Sequence, residues 1–271
     1  MTQSIAQQQT TAEQRAFYDE HGYLIADLLD RDEVERLRAA LAEVLARGAG
    51  LTKSNADFFV AAGEDGRHHI TRVRHPIAQH PAFLDLVSHP KLLDLVEALI
   101  GPNIQFVHSK INLKPPATEA AAYPWHQDWP FNPHTNLDMV AVMVPLDDAN
   151  AQNGCLRVVP GSHRLGPVDH RYGWEFEVED HRLVADTSRH MLLEVSAGGV
   201  TLHHCCLLHS STENLGKRSR NAILFDYRAA DNAQLGTATG PHRGLLVRGV
   251  QPTTVRMIAG SFKVRDAAPP E

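Results

Sequence analysis

Between Ile104 and Tyr227 the chain is a succession of short apolar runs, each ended by residues that turn a backbone. The runs are Ile104–Leu113, Met139–Leu146, Leu156–Val159, Met191–Val195, Val200–Leu208 and Ala222–Tyr227. Pro115-Pro116, Asn153-Gly154, Pro160-Gly161 and Gly198-Gly199 stand between or beside them. Such spacing predicts strands, and many short strands in series predict an antiparallel sandwich or barrel.

The first hundred residues have a different texture. Thr11 to His21 predicts a short helix closed by Gly22, and Tyr23 to Ala26 a short strand. Asp30 with Glu33 three residues on forms a capping-box start. Val34, Leu37, Leu41, Val44 and Leu45 follow at helical spacing up to Gly48. Pro90 to Ile100 predicts a further helix, stopped by Gly101. A mainly helical flank over residues 11–100 then packs outside a β core over 101–230, giving a mainly β fold in one domain spanning 1–271. Residues 1–10 are polar and expected to be disordered. Arg164 to Ser188 lacks periodicity and is expected to be a long loop near the site, and 231–271 forms a C-terminal extension.

With 271 residues the chain is long enough to bury a real core in one domain. Its net charge of −6, without any Lys/Arg block, argues against a nucleic-acid partner. No apolar run approaches the roughly 20 residues that span a bilayer, and the N-terminus lacks the features of a secretory signal. Cys205 and Cys206 are adjacent, and neighbours in a strand point to opposite faces, so a disulfide scaffold is not expected and the cytoplasm is the expected compartment.

Chemistry concentrates at Trp125-His126-Gln127-Asp128-Trp129. On a strand, His126 and Asp128 would share a face, placing an imidazole and a carboxylate beside one metal. A third ligand must come from elsewhere. His209 is the best placed, just after the run Val200–Leu208, with His203 and His204 as mid-run rivals. Two histidines and a carboxylate make the facial triad of non-haem Fe(II) oxygenases, which leaves half of the coordination sphere open. With 17 histidines in the chain, the spacing alone could arise by chance, and His209 could be a core residue. An anionic co-substrate needs a cation at its far end. Arg220, eleven residues after His209, can offer its planar fork if its strand runs antiparallel to that of His209, and Ser211 can add a hydroxyl. A surface position in the turn Lys217-Arg218-Ser219-Arg220 is the plain alternative. Trp129, Phe131, Asn132 and His134 follow the motif and could line a substrate cavity, and Arg228 could pair with an anionic substrate.

The ordered set Gly101-Pro102-Asn103-Ile104, Lys114-Pro115-Pro116, His126-Gln127-Asp128, Asn153 to His163 and His209-Ser210-Ser211 … Asn214 … Arg220 resembles the phytanoyl-CoA dioxygenase family of Fe(II)/2-oxoglutarate oxygenases over about residues 12–230. The resemblance implies a double-stranded β-helix, a cupin-like jelly roll with flanking helices. It implies iron on His126, Asp128 and His209, and 2-oxoglutarate on Ser211 and Arg220. Arg72, in Ile70-Thr71-Arg72, matches a further basic residue of the co-substrate site, and Lys110 and Asn112 share a strand face that could touch it. Asn153 to His163 is expected to be architectural. Asp128 stands where halogenating relatives carry a small residue, which disfavours halogenation.

The expected activity is Fe(II)-, 2-oxoglutarate- and O2-dependent hydroxylation of a small organic molecule, with succinate and CO2 released. Desaturation, ring closure and epimerisation draw on the same chemistry. A non-catalytic jelly-roll module with a structural metal, and a zinc hydrolase on the same ligands, are the competing functions. The sequence leaves substrate identity and oligomeric state open.

Overall fold

A computed structural model describes residues 11–258, apart from 64, 117, 119–120, 172–176 and 238. The expected disorder of residues 1–10, and the end of the C-terminal extension, lie outside the described residues.

Two antiparallel sheets face each other. The strands of the larger are β1 (Tyr23–Asp27), β2 (Phe58–Ala62), β3 (His68–Arg74), β4 (Ile104–Lys114), β6 (Met139–Pro145), β11 (Gly199–His204) and β13 (Arg220–Ala229), in the order β1-β11-β6-β13-β4-β3-β2. β14 (Leu246–Arg248) adds to one end of β4. The smaller sheet has the order β10-β7-β12-β5, built from β5 (Tyr123–His126), β7 (Leu156–Val158), β10 (Met191–Leu193) and β12 (His209–Ser211). The expected jelly-roll sandwich is thus present, as two facing sheets and not a closed barrel. β8 (His170–Arg171) and β9 (Glu177–Val178) form a small ribbon within the segment expected to be a loop.

Side-chain alternation gives the larger sheet two different faces. Ile104, Phe106, Ile111 and Leu113 of β4, Val140, Val142 and Val144 of β6, and Ile223, Phe225 and Tyr227 of β13 point outward into the main core. That core is closed by α2 (Arg31–Arg47), α4 (Pro81–Val87) and α5 (Pro90–Ile100). The α5 helix buries Leu92, Leu93, Val96, Leu99 and Ile100, an apolar stripe at helical spacing. Each such side chain contributes about 1.5–3 kcal/mol of transfer free energy. Tyr227 donates its hydroxyl to Val87 O at 2.9 Å, satisfying a polar group inside this layer. The other face, which looks at the smaller sheet, carries the polar residues described below.

The helix expectations hold closely. Helix α1 covers Thr11–His21, and α2 starts with the full Asp30/Glu33 capping box. The flank over 11–100 also holds β2 and β3, the short helix α3 (Pro76–Gln79) and α4, none of them expected individually. His68-His69-Ile70-Thr71-Arg72 hides a strand because its polar residues give little alternation; pairing with β4 decides its conformation. The run Val200–Leu208 is also not one strand. It breaks after His204, and Cys205-Cys206 sit in a turn, so the opposite-face argument for them does not apply; all three cysteines are nonetheless free. No helix among the described residues is long and apolar enough to cross a membrane.

Candidate metal and co-substrate site

His126 and His209 are direct neighbours across β5 and β12. Their rings lie 4.1 Å apart, centroid to centroid. Each ring is fixed by a bond from Nδ1 to the carbonyl two residues earlier, Pro124 O at 2.7 Å and Leu207 O at 2.9 Å. With Nδ1–H donating, each Nε2 keeps its lone pair for a metal. Asp128 completes the group: its Oδ1 is 4.0 Å from His126 Nε2 and its Oδ2 3.7 Å from His209 Nε2. One ligand atom from each of the three lies within 4.8 Å of the others.

Asp128 reaches this position differently from the expectation. β5 ends at His126, and Asp128 sits past the strand with α-region dihedrals. The amides of Asp128 and Trp129 both donate to Cys205 O, at 3.0 and 2.9 Å. Gln127, fully buried between the two ligands, donates to Cys206 O and Gly166 O and accepts from Val168 N. A pinned turn thus does what an alternating strand was expected to do. The sequence gives Gln127 no role, because an amide whose three partners lie far along the chain leaves no spacing signal.

Burial pushes the His126 and His209 imidazoles below their ordinary pKa. Burial also opposes ionisation of Asp128, but His209, His203 and His126 outweigh it and hold the carboxyl well below the usual range. The site therefore presents a carboxylate and two neutral imidazoles, the protonation state that ligates a cation. His203 is buried, with Nε2 3.2 Å from Asp128 Oδ2 and its ring 4.7 Å from that of His209. It is thus beside the triad rather than merely packed in a strand. A second group of close donors, His204, Cys205 and Cys206, is made of consecutive residues. There His204 Nδ1 already accepts from Cys206 N at 3.0 Å.

The registers of β4, β13, β6 and β11 order the inner face of the larger sheet into rows. Arg220 opposes Lys114, Ala222 opposes Asn112, Leu224 opposes Lys110, and Asp226 opposes His108. Across β6, Asp226 continues through Ala141 to His203. The row His108–Asp226–Ala141–His203 therefore ends at the carboxylate of Asp128, and its one small residue, Ala141, leaves space beside it. Lys110 and Asn112 share this face as expected, and Lys110 lies close enough to His126 to depress its pKa.

Toward the Arg220 end the pocket is cationic. Arg220 is 2 % exposed; one Nη donates to Gly154 O, and its Nε has no partner. Burial pulls its pKa down to about 10. Asn112 Oδ1 is likewise buried without a partner. Arg72 donates to the Tyr123 hydroxyl at 2.8 Å and is the register partner of Asn112. Ser211 is buried and pairs with Tyr123 in register. Arg220 comes from the sheet opposite His209, not from a strand paired with it, so the two meet across the sandwich. Two further residues belong here. Lys114, 1 % exposed, donates to Thr212 O at 2.6 Å and to Ala121 O. Burial, then the neighbouring Arg220, lower its pKa to about 6. Tyr123 sits under both side chains, 5.4 Å from the Arg72 guanidinium and 5.3 Å from Lys114 Nζ.

At the other end, Trp129 is buried in a small cluster with Val107 and Met139, while Phe131 is exposed. His134 is buried, with Nδ1 bonded to Asn132 O at 2.7 Å. Arg228 lies within β13, not after it, and bonds Gln105 Oε1 at 2.9 Å. His163 bonds Asp19 O at 3.2 Å, the structural role expected of it.

Comparison with known proteins agrees with this geometry. The chain is 32 % identical over 257 residues to a probable alpha-ketoglutarate-dependent hypophosphite dioxygenase of Stutzerimonas stutzeri, covering 91 % of this chain and 89 % of that protein. It superposes on the crystal structure of EctD from S. alaskensis with bound Fe at a TM-score of 0.70 and 25 % identity, covering 92 % of this chain and 87 % of that one. On the non-haem alpha-ketoglutarate-dependent carbocyclase SnoK from nogalamycin biosynthesis the TM-score is 0.66 at 26 % identity, covering 89 % and 96 %. The profile of the phytanoyl-CoA dioxygenase family matches residues 18–222, and the chain belongs to that family.

Proposed function

We propose that this chain, an Fe(II)- and 2-oxoglutarate-dependent dioxygenase, holds its iron on His126, Asp128 and His209 and hydroxylates a small molecule. The observation that carries the assignment is the pair of Nδ1-anchored imidazoles whose ligand atoms converge with Asp128 within 4.8 Å. Two nitrogens and one carboxylate oxygen suit ferrous iron. The distal carboxylate of 2-oxoglutarate is taken by Arg220, with Ser211, Tyr123, Arg72 and Asn112 around its path and Lys110 nearer the metal. The unpartnered Arg220 Nε and Asn112 Oδ1 support this, because buried polar groups left open in the bare protein mark where a ligand bonds.

When bound, iron with 2-oxoglutarate and O2 supplies the oxidising power: one oxygen atom enters the substrate as hydroxyl, and the other leaves in succinate, with CO2 released. The protein does the rest. His126 and His209 keep their orientation through their backbone bonds, and the turn anchored on Cys205 O fixes Asp128. The apolar Met143, Leu224 and Ala222 exclude water beside the co-substrate path. Trp129, Asn132, His134 and Arg228 stand at the end away from Arg220 and receive the substrate. Three free cysteines and a net charge of −6 support a cytoplasmic enzyme whose partner is a small molecule rather than nucleic acid.

Substrate-stimulated decarboxylation of 2-oxoglutarate over a panel of small molecules tests the proposal. His126→Ala and His209→Ala should each abolish iron binding, followed by anaerobic titration, together with turnover. Retention of stoichiometric iron by either variant would remove that residue from the ligand set, and turnover without O2 would favour a hydrolase.

A further inference from the structure

The inner face of β13 ends in a second cationic cluster, eight residues from Arg220. Arg228 donates from Nε to Gln105, but its buried Nη1 has no partner. Arg243 approaches from the segment before β14. It donates from Nη1 to Gln234 Oε1 at 2.9 Å and to Asn132 Oδ1 at 3.5 Å, and its buried Nε has no partner. His134 is 1 % exposed, and its Nε2 has no partner either. A Cβ placed on Gly244, next to Arg243, would lie 3.9 Å from Arg228 Nη2, so the two arginine segments are in contact.

This arrangement is costly in a bare protein. Burial, then the charge of Arg243, depresses Arg228, while Arg243 is depressed by burial against the single opposing effect of Asp226. His134 is driven down to about 4 by burial, with both arginines adding to the effect. Asp226 is the carboxylate that acts on Arg243 and His134, and it already lies 2.8 Å from His108 Nδ1. Like charges held together with unspent N–H groups are what an anion site looks like before its ligand arrives. The 2-oxoglutarate tail is accounted for at the opposite end of the same strand, so this second pole is free for a different anion.

We propose that Arg228 and Arg243 grip the substrate by a compact oxyanion, a carboxylate or a phosphorus oxyanion, while His134 accepts a hydrogen bond from an O–H or N–H beside it. With Nδ1–H committed to Asn132 O, His134 Nε2 is an acceptor, which fits a hydroxy acid, an amino acid or a phosphorus acid that keeps an O–H better than an anion without a donor. The assignment rests on the triad being the catalytic centre: the cluster lies one rung beyond the row Asp226–Ala141–His203, so an anion held there projects its remaining atoms toward Asp128.

Calorimetry on the anaerobic protein loaded with Fe(II) and saturating 2-oxoglutarate tests it, with sodium lactate, sodium phosphite and neutral lactamide as probes. Lactate or phosphite should bind and lactamide should not; which of the two anions binds tells a carboxylate site from a phosphorus one. Arg228→Met and Arg243→Met should each weaken that binding by roughly tenfold or more, and the 2-oxoglutarate affinity should stay that of the parent. Arg228→Lys, which keeps the charge, should retain part of the affinity and guards against a variant that merely misfolds. The site is refuted if neither anion binds, if lactamide binds as well as lactate, or if both methionine variants bind the anion like the parent. A parent protein that fails to take up Fe(II) and 2-oxoglutarate counts instead against the function proposed above, and is seen in the loading step before any probe is added.

Discussion

Arg220→Met separates what Arg220 does for the ligand from what it does to the bare protein. Methionine keeps most of the volume and removes the charge. In the bare protein the guanidinium is almost wholly buried, and burial pulls its pKa from the ordinary arginine value down to about 10. That difference corresponds to a penalty of roughly 3 kcal/mol for carrying the charge. The substitution also removes the bond to Gly154 O, worth about 1 kcal/mol net. The bare variant should therefore melt at or above the temperature of the parent. With 2-oxoglutarate bound the sign reverses. A buried carboxylate that loses its guanidinium partner costs about 3–5 kcal/mol. Lys114, facing Arg220 in register, takes up some of that loss, so about 3 kcal/mol, or roughly a hundredfold in Kd, is expected. Calorimetric titration of 2-oxoglutarate and thermal melts of the ligand-free protein measure the two halves, and iron affinity should not move. A Kd within threefold of the parent would remove Arg220 from the co-substrate site. A large fall in the melting temperature of the bare protein would show that Arg220 is chiefly structural.

Three further outcomes follow from named contacts. His203→Phe removes the imidazole 3.2 Å from Asp128 Oδ2 while keeping an aromatic ring in the strand; iron affinity should drop about 10–100-fold, read by anaerobic titration, whereas the melting temperature changes little. Lys114, with a folded pKa of about 6 against 10.5 for a free lysine, is mostly neutral in the bare protein above pH 6, and an arriving dicarboxylate raises its pKa. Binding of 2-oxoglutarate near pH 7.5 should therefore take up a proton, seen as a binding enthalpy that depends on the buffer and absent in Lys114→Met. Gly154 has φ +74, and an added Cβ would run into Thr212 O; Gly154→Ala should lose about 2 kcal/mol or more of stability in denaturant melts, and weaken 2-oxoglutarate because its carbonyl holds Arg220.

The parts of the site that could be read in the sequence are those whose chemistry is carried by residue type and short spacing. His126 and Asp128 are two apart, and Arg220 follows His209 by eleven residues, so a pattern exists to be seen. The capping box of α2 and the apolar stripe of α5 are legible for the same reason, since local periodicity and caps act within one or two turns. Lys114, Tyr123 and Arg243 are not legible as site residues, and His203 is legible only as a rival ligand. Each enters the pocket through strand register or through a loop folding back, and register is a property of pairing across the sheet rather than of any one segment. Asp128 is instructive in another way. The strand geometry that would put it beside His126 does not exist; the turn held by Gln127 and Cys205 O brings it to the same place by other bonds.

The Cys205 carbonyl and the Gln127 side chain hold the ligating turn at five points of backbone, so the coordination cage is set before any ion arrives. Three ligands that leave half of the coordination sphere open impose little geometric choice among first-row divalent ions. On affinity alone a set of two imidazoles and a carboxylate ranks zinc, nickel and copper above ferrous iron. Which ion fills the protein is then decided by supply and reductant rather than by the fold, and material prepared under metal-rich, aerobic conditions should come out loaded with an ion other than iron until a chelator clears it and ferrous iron is restored.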